Sequence, residues 1–169
     1  MDCLSLGKSE RRNVIYESTK TYGNERGLSC CFRQWKATSH CKYLHGYSLG
    51  FRFTFEAERL DSRNWVYDFG SFKEIRKWVK DNFDHTLLIA KDDPEKDFLM
   101  SIDDKKIAKV IELPDVGCEK FAEYTYNFVN EYISSETSGR VKLISVEVFS
   151  HRRKQTFIKW QIFVLLYVL

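Results

Sequence analysis

Two of the chain's four histidines and one of its five cysteines fall inside six residues, within Ser39-His40-Cys41-Lys42-Tyr43-Leu44-His45-Gly46-Tyr47. Imidazole serves both metal binding and proton transfer near neutral pH. The third histidine follows Asp84 at the end of a predicted helix, where the plainer role for His85 is a cation on a helix dipole. The fourth, His151, ends an alternating segment. A packing role would scatter imidazoles along apolar faces, whereas these sit at segment ends. Cys118 and Glu119 stand where a second helical pattern begins, a place acids occupy by ordinary preference.

Those residues need elements to hold them. Leu49, Phe51, Phe53, Phe55 and Ala57 alternate with Gly50, Arg52, Thr54 and Glu56, a period of two that predicts a strand with one face in a core. Leu28–Ser39 and Ser48–Arg59 would pair as an antiparallel hairpin, with His40–Tyr47 at the connection. Ser71 and Glu74 have capping-box spacing, so a helix is expected to start at Ser71. It carries Phe72, Ile75, Trp78, Val79 and Phe83 on one face and ends near Asn82, delivering Asp84 and His85. Lys91 to Asp104 reads as a surface loop, and Ile107 to Leu113 as a short strand or a helical turn. A second helix runs from Cys118 to Ile133. Ile144, Val146 and Val148, then Ile158, Trp160 and Ile162, mark two more strands joined by the basic turn Arg152-Arg153-Lys154. The order strand–strand–helix–helix–strand–strand predicts an α+β fold with helices on one face of an antiparallel sheet.

Length and composition bound the rest. The 169 residues fit one domain, with residues 1–27 a polar leader containing one short strand near Val14 to Thr19 and residues 28–169 the folded unit. A net charge of +3 excludes any argument for nucleic-acid binding from charge alone. Arg140 to Lys159 carries six basic residues against Glu147, either a solvated strand pair or an attraction for an anionic substrate such as a phosphate ester. An odd number of cysteines without a regular framework or a signal-peptide pattern predicts reduced thiols and a cytoplasmic protein. The apolar run Ile162 to Leu169 is far too short to span a membrane, so no membrane partner is expected.

Taken together, Cys41-x-x-x-His45-Gly46, the alternating strand, Asp68-Phe69 before a helix, Asp84-His85 after it and Cys118-Glu119-x-x-Ala122 at a helix start resemble the 6-pyruvoyl-tetrahydropterin synthase and 6-carboxy-tetrahydropterin synthase family. The chain is similar to a divergent member, over roughly Leu28 to Val148. The resemblance implies the tunnelling fold, a four-stranded antiparallel sheet with two helices on one face in ββααββ order. It implies a carbon–oxygen lyase that releases triphosphate from 7,8-dihydroneopterin triphosphate, in pterin or queuosine-type deazapurine biosynthesis. It also implies a zinc ion on three histidines, for which His40 and His45 are the candidates here. Cys41 matches the family's proton-abstracting thiol, Asp84 and His85 its proton-transfer pair, and Cys118 and Glu119 the helix start that helps hold the pterin. A homo-oligomer, trimer or hexamer with sites between subunits, is implied as well.

The chain departs from that pattern at three places. Tyr47 stands where the second histidine of His-Gly-His belongs, which leaves the third zinc ligand open. His40 lies directly beside Cys41 instead of on the preceding strand, where the register points to Trp35 or Lys36. Ser150-His151 replaces a pterin-anchoring Glu-Thr. A pterin- or purine-binding module that has lost the zinc and turns nothing over is therefore the alternative, and a cyclohydrolase-like step on a purine nucleotide a third.

Overall fold

A computed structural model of the chain describes residues 14–151 and 154–159. It contains strands β1 (Tyr16–Tyr22), β2 (Leu28–Phe32), β3 (His45–Ala57), β4 (Thr86–Ala90), β5 (Lys109–Leu113), β6 (Lys142–His151) and β7 (Lys154–Lys159), with helices α1 (Lys73–Phe83), α2 (Lys96–Asp104) and α3 (Cys118–Glu136). All seven strands form one sheet in the order β5-β4-β2-β3-β6-β7, with β1 paired to β3. The expected basic turn at residues 152–153 and the apolar run at 160–169 lie outside the described residues.

The alternating segment forms β3, the strand on which the sheet is centred. Its odd-numbered residues from Leu49 to Ala57 are all buried toward the helices. Along one edge β3 pairs with β1 (Tyr16↔Ala57 to Tyr22↔Phe51) and then with β2 (Leu28↔Leu49 to Phe32↔His45). β1 and β2 are thus two halves of one antiparallel edge, interrupted opposite Gly50 by a short 3₁₀ turn at Asn24–Arg26. Residues 16–22, placed in the leader by composition, are therefore part of the sheet. β6 pairs with the other edge of β3, and Gly50 faces Phe149 there. On that side Glu147 points away from the helices and pairs with Arg52 at 3.0 Å.

α1 and α3 pack on one face of the sheet. Trp78 stacks on Phe128 (4.3 Å between centroids, 5° between planes), and Phe83 meets Phe51 and Phe121 at 5.1 and 5.4 Å. Six fully buried phenylalanines, Phe51, Phe53, Phe55, Phe72, Phe83 and Phe121, anchor this core; each contributes on the order of 1.5–3 kcal/mol by burial. The expected capping box does not form. Asp68 accepts from Gly70 N at 2.8 Å and starts a 3₁₀ turn over Phe69–Ser71, so α1 begins at Lys73 without a side-chain cap.

The sheet is larger than the expected four strands and is not purely antiparallel: β2 with β4 and β4 with β5 are parallel. The expected loop at Lys91–Asp104 contains α2, which lays Leu99 against Leu87 and Ile89 on the face opposite α1 and α3. Every residue of β4 is buried, as a strand covered on both faces requires. Such a strand shows no alternation, and a short, charged α2 shows little apolar face. Within this sheet the hairpin of β2 and β3 forms as expected, with the histidine-containing segment at its connection.

Candidate active site

β2 ends at Phe32, opposite His45, the first residue of β3, while β4 runs two residues past its pairing with β2 at Leu88. The chain then turns through residues 33–44. Ser39 accepts from Cys41 N at 3.3 Å and starts a 3₁₀ turn over His40–Lys42, which sets Cys41 half-buried and His40 exposed. Gln34 ties this loop to the start of α3: its backbone N–H donates to the Cys41 carbonyl at 2.8 Å, and its side-chain amide donates to the Val116 carbonyl at 2.5 Å. Gly117 follows with φ +126, a backbone that side chains rarely adopt. A Cβ there would lie 3.0 Å from Gln34 Nε2, so the approach to Cys118 and Glu119 requires glycine. The Cys41 loop and the α3 start, far apart in the chain, are thereby joined.

His45 and Tyr47 lie on the helix-facing side of β3. The Tyr47 ring stacks on Phe32 (4.1 Å, 16°), and Phe121 meets Phe32 edge-on at 5.0 Å. The Tyr47 hydroxyl lies 2.6 Å from His45 Nε2, while His45 Nδ1 lies 2.7 Å from the Tyr43 carbonyl oxygen. A carbonyl only accepts, so Nδ1 carries the proton, and the phenol donates to Nε2. Burial pushes the Tyr47 phenol pKa up, and Cys41, Cys118, Cys30 and Cys31 push it the same way, which keeps the hydroxyl protonated. Burial also raises the thiol of Cys30 to about 12 and, with Glu119 assisting, that of Cys118 to about 11. Cys118 is a neutral thiol at physiological pH, not a nucleophile.

Asp84 and His85 sit at the exit of α1. His85 Nδ1 donates to Asp84 Oδ1 at 2.7 Å, and the imidazole is 85% exposed with Nε2 outward from that bond. His85 adopts φ +56, uncommon for any residue but glycine; strain of this kind gathers at functional sites. The structure does not bring this pair to the Cys41–Tyr47 group within one chain. His85 N bonds the Ser29 carbonyl on one side of β2, whereas His45 pairs with Phe32 on the other. Three residues of strand, about 10 Å, and two strand spacings, about another 10 Å, separate their backbones.

The residues present do not fit a three-imidazole zinc centre. His40 and His45 have ring centroids 6.2 Å apart, but the Nε2 lone pair of His45 already receives the Tyr47 proton. Among the described residues no three His, Cys, Asp or Glu side chains converge to hold a metal. Two of the residues that shape the site, Phe32 and Gln34, carry no signal in the sequence: an aromatic on a strand reads as core, and a glutamine after it as surface.

Comparison with known proteins agrees with this architecture. The family model described as 6-pyruvoyl tetrahydropterin synthase matches residues 23–159. A 6-carboxy-5,6,7,8-tetrahydropterin synthase of Aquifex aeolicus is 28% identical over 141 residues, 81% of this chain and 84% of that protein. The enzyme of the same name from Rickettsia felis is 38% identical over 56 residues, a match spanning 32% of this chain and only 41% of that relative's length. An uncharacterised protein of Wolinella succinogenes superposes with a TM-score of 0.74 at 18% identity, covering 88% of this chain and 99% of that one. The 6-pyruvoyl tetrahydropterin synthase of Plasmodium falciparum superposes with a TM-score of 0.61 at 16% identity, covering 86% and 98%. At such identities the superpositions show a shared fold. No helix among the described residues is long and apolar enough to cross a membrane.

Proposed function

This chain belongs to the 6-pyruvoyl tetrahydropterin synthase family, and on that premise we propose that it is a carbon–oxygen lyase acting on 7,8-dihydroneopterin triphosphate. The Asp84–His85 pair carries the reading: a carboxylate fixes the imidazole tautomer through Nδ1 at 2.7 Å and leaves Nε2 as a free, exposed base. Cys41, as thiolate, takes a proton from the substrate side chain. The electron pair of that C–H bond forms the new C=C bond, and triphosphate leaves with the electrons of the broken C–O bond. His85 Nε2 accepts and returns the side-chain hydroxyl proton. Cys118 and Glu119, at the start of α3, meet the pterin ring.

Because Cys41 and His85 are apart within one chain, the site requires a second copy, with Asp84 and His85 of one subunit facing Cys41 of another. Incubation with 7,8-dihydroneopterin triphosphate is expected to release triphosphate, with the product mass distinguishing a pyruvoyl from a carboxy side chain. Mixing inactive Cys41→Ser and His85→Gln proteins should restore part of the activity. No release above the enzyme-free rate would refute the lyase reading.

One observation favours a second reading. The Tyr47–His45 bond and the Phe32 stack occupy the position where the family resemblance implies metal. A binding module with that pocket takes a pterin or purine and returns it unchanged, so isothermal titration with 7,8-dihydroneopterin gives affinity where the triphosphate assay gives no turnover.

A further inference from the structure

A zinc centre of three imidazoles needs three lone pairs aimed at one point from about 2.0–2.1 Å. The β2–β3 hairpin sets three rings side by side on its helix-facing side, Phe32, His45 and Tyr47, and supplies no such lone pair. Phe32 has no donor atom, and it is 3% exposed and wedged between Tyr47 and Phe121. Tyr47 lies flat on Phe32, and its hydroxyl proton is spent on His45 Nε2 at 2.6 Å. The remaining nitrogen of His45 is bound to the Tyr43 carbonyl at 2.7 Å. A metal would have to break the phenol–imidazole bond to gain one ligand, and His40, exposed on its 3₁₀ turn, would bring the total to two.

We infer that Phe32, Tyr47 and His45 form a closed aromatic and hydrogen-bonded unit that makes this pocket metal-independent. A ligand hydroxyl there meets the accepting Tyr47 oxygen and an aromatic wall in place of a Lewis acid. The inference rests on the family reading only for the identity of the position; the geometry is this chain's own.

The test uses zinc itself as the probe. After dialysis of the full chain against zinc and removal of free ion, elemental analysis is expected to find under ~0.1 zinc per chain. The double variant F32H/Y47H, which supplies two further imidazoles beside His45, is expected to hold about one, with at least ~100-fold tighter binding by competition against a chromophoric chelator. Should that variant not fold, nitrogen NMR of the unaltered protein decides: the His45 ring keeps its Nδ1–H tautomer and its Nε2 shift as zinc is added. One zinc per wild-type chain that is lost in His45→Ala, or a zinc-dependent move of that Nε2 signal, overturns the inference. Triphosphate release in excess chelator separates the two claims. Release that persists upholds both; release that stops with chelator and returns with zinc overturns metal independence and leaves the lyase standing. Absence of release with no zinc bound removes the lyase and upholds the metal-free pocket.

Discussion

Arg33 grips Asp93 through two nitrogens at once, with Nε 2.8 Å from Oδ2 and Nη2 2.5 Å from Oδ1. The carboxylate is 1% exposed and also accepts from Glu95 N at 2.9 Å, just before α2. This pair fastens the loop that carries Cys41 to the segment that leads into α2.

Breaking that grip from the cationic side leaves a buried carboxylate alone. Arg33→Ala is expected to lose about 3 kcal/mol of stability at pH 7, read from urea unfolding. The Arg33 hydrogen bond holds the Asp93 carboxyl below its ordinary range, against burial, which acts the other way. A depressed native pKa means the stabilisation is complete above the unfolded value, about 3.9, and fades as pH falls through the native one. The gap between wild type and Arg33→Ala should therefore narrow below pH ~4; a gap that stays constant down to pH 2.5 contradicts this account.

Gly50 has no room for a side chain. A Cβ there would meet the Phe149 ring at 2.2, 2.5 and 2.9 Å, and that ring is itself buried. Gly50→Ala should destabilise by roughly 1–3 kcal/mol. Adding Phe149→Leu should recover part of the loss in a double-mutant cycle, and strict additivity of the two changes would speak against the clash.

His85 separates backbone strain from chemistry. At φ +56, His85→Ala keeps the penalty of a Cβ in the left-handed region, while His85→Gly removes it. The glycine variant should be the more stable of the two by about 1 kcal/mol, with both lacking turnover. Equal melting curves would mean that the backbone relaxes out of this conformation.

Gln34 positions without touching the reacting atoms. Gln34→Met deletes the amide that donates to the Val116 carbonyl and should cost about 1 kcal/mol of stability. With the α3 start loosened from the Cys41 loop, ligand affinity or KM should worsen more than kcat, and Gln34→Asn should not rescue, since its side chain is one methylene too short. A change confined to kcat would reassign Gln34 to the chemistry.

Much of this architecture was legible in the amino-acid pattern, for reasons that can be named. β3 announces itself because one of its faces is apolar and the other is not, and α1 and α3 because their stripes of Phe, Ile and Val recur at helical spacing. β4 escapes such reading: Leu87-Leu88-Ile89-Ala90 is apolar on both faces, so it has no period to detect, whereas β5 forms inside Ile107 to Leu113, read as a short strand or a helical turn. α2 escapes because Leu99 is its one fully buried side chain while Phe98 stays 64% exposed. At the site, the family motifs pointed to Cys41, His45, Asp84 and His85. What surrounds them was not legible, because hairpin register depends on a connection of unknown course. Only the folded chain sets Phe32, and not Trp35 or Lys36, beside His45.

The burial of β4 between α1 on one side and α2 on the other has a dynamic consequence. Water can reach its amides only when a helix lifts away, so their solvent deuterium uptake should report helix detachment and should be slower than that of β1, whose outer edge has no partner strand among the described residues. The least conspicuous helix in this chain is then the latch that controls how often its parallel strands open.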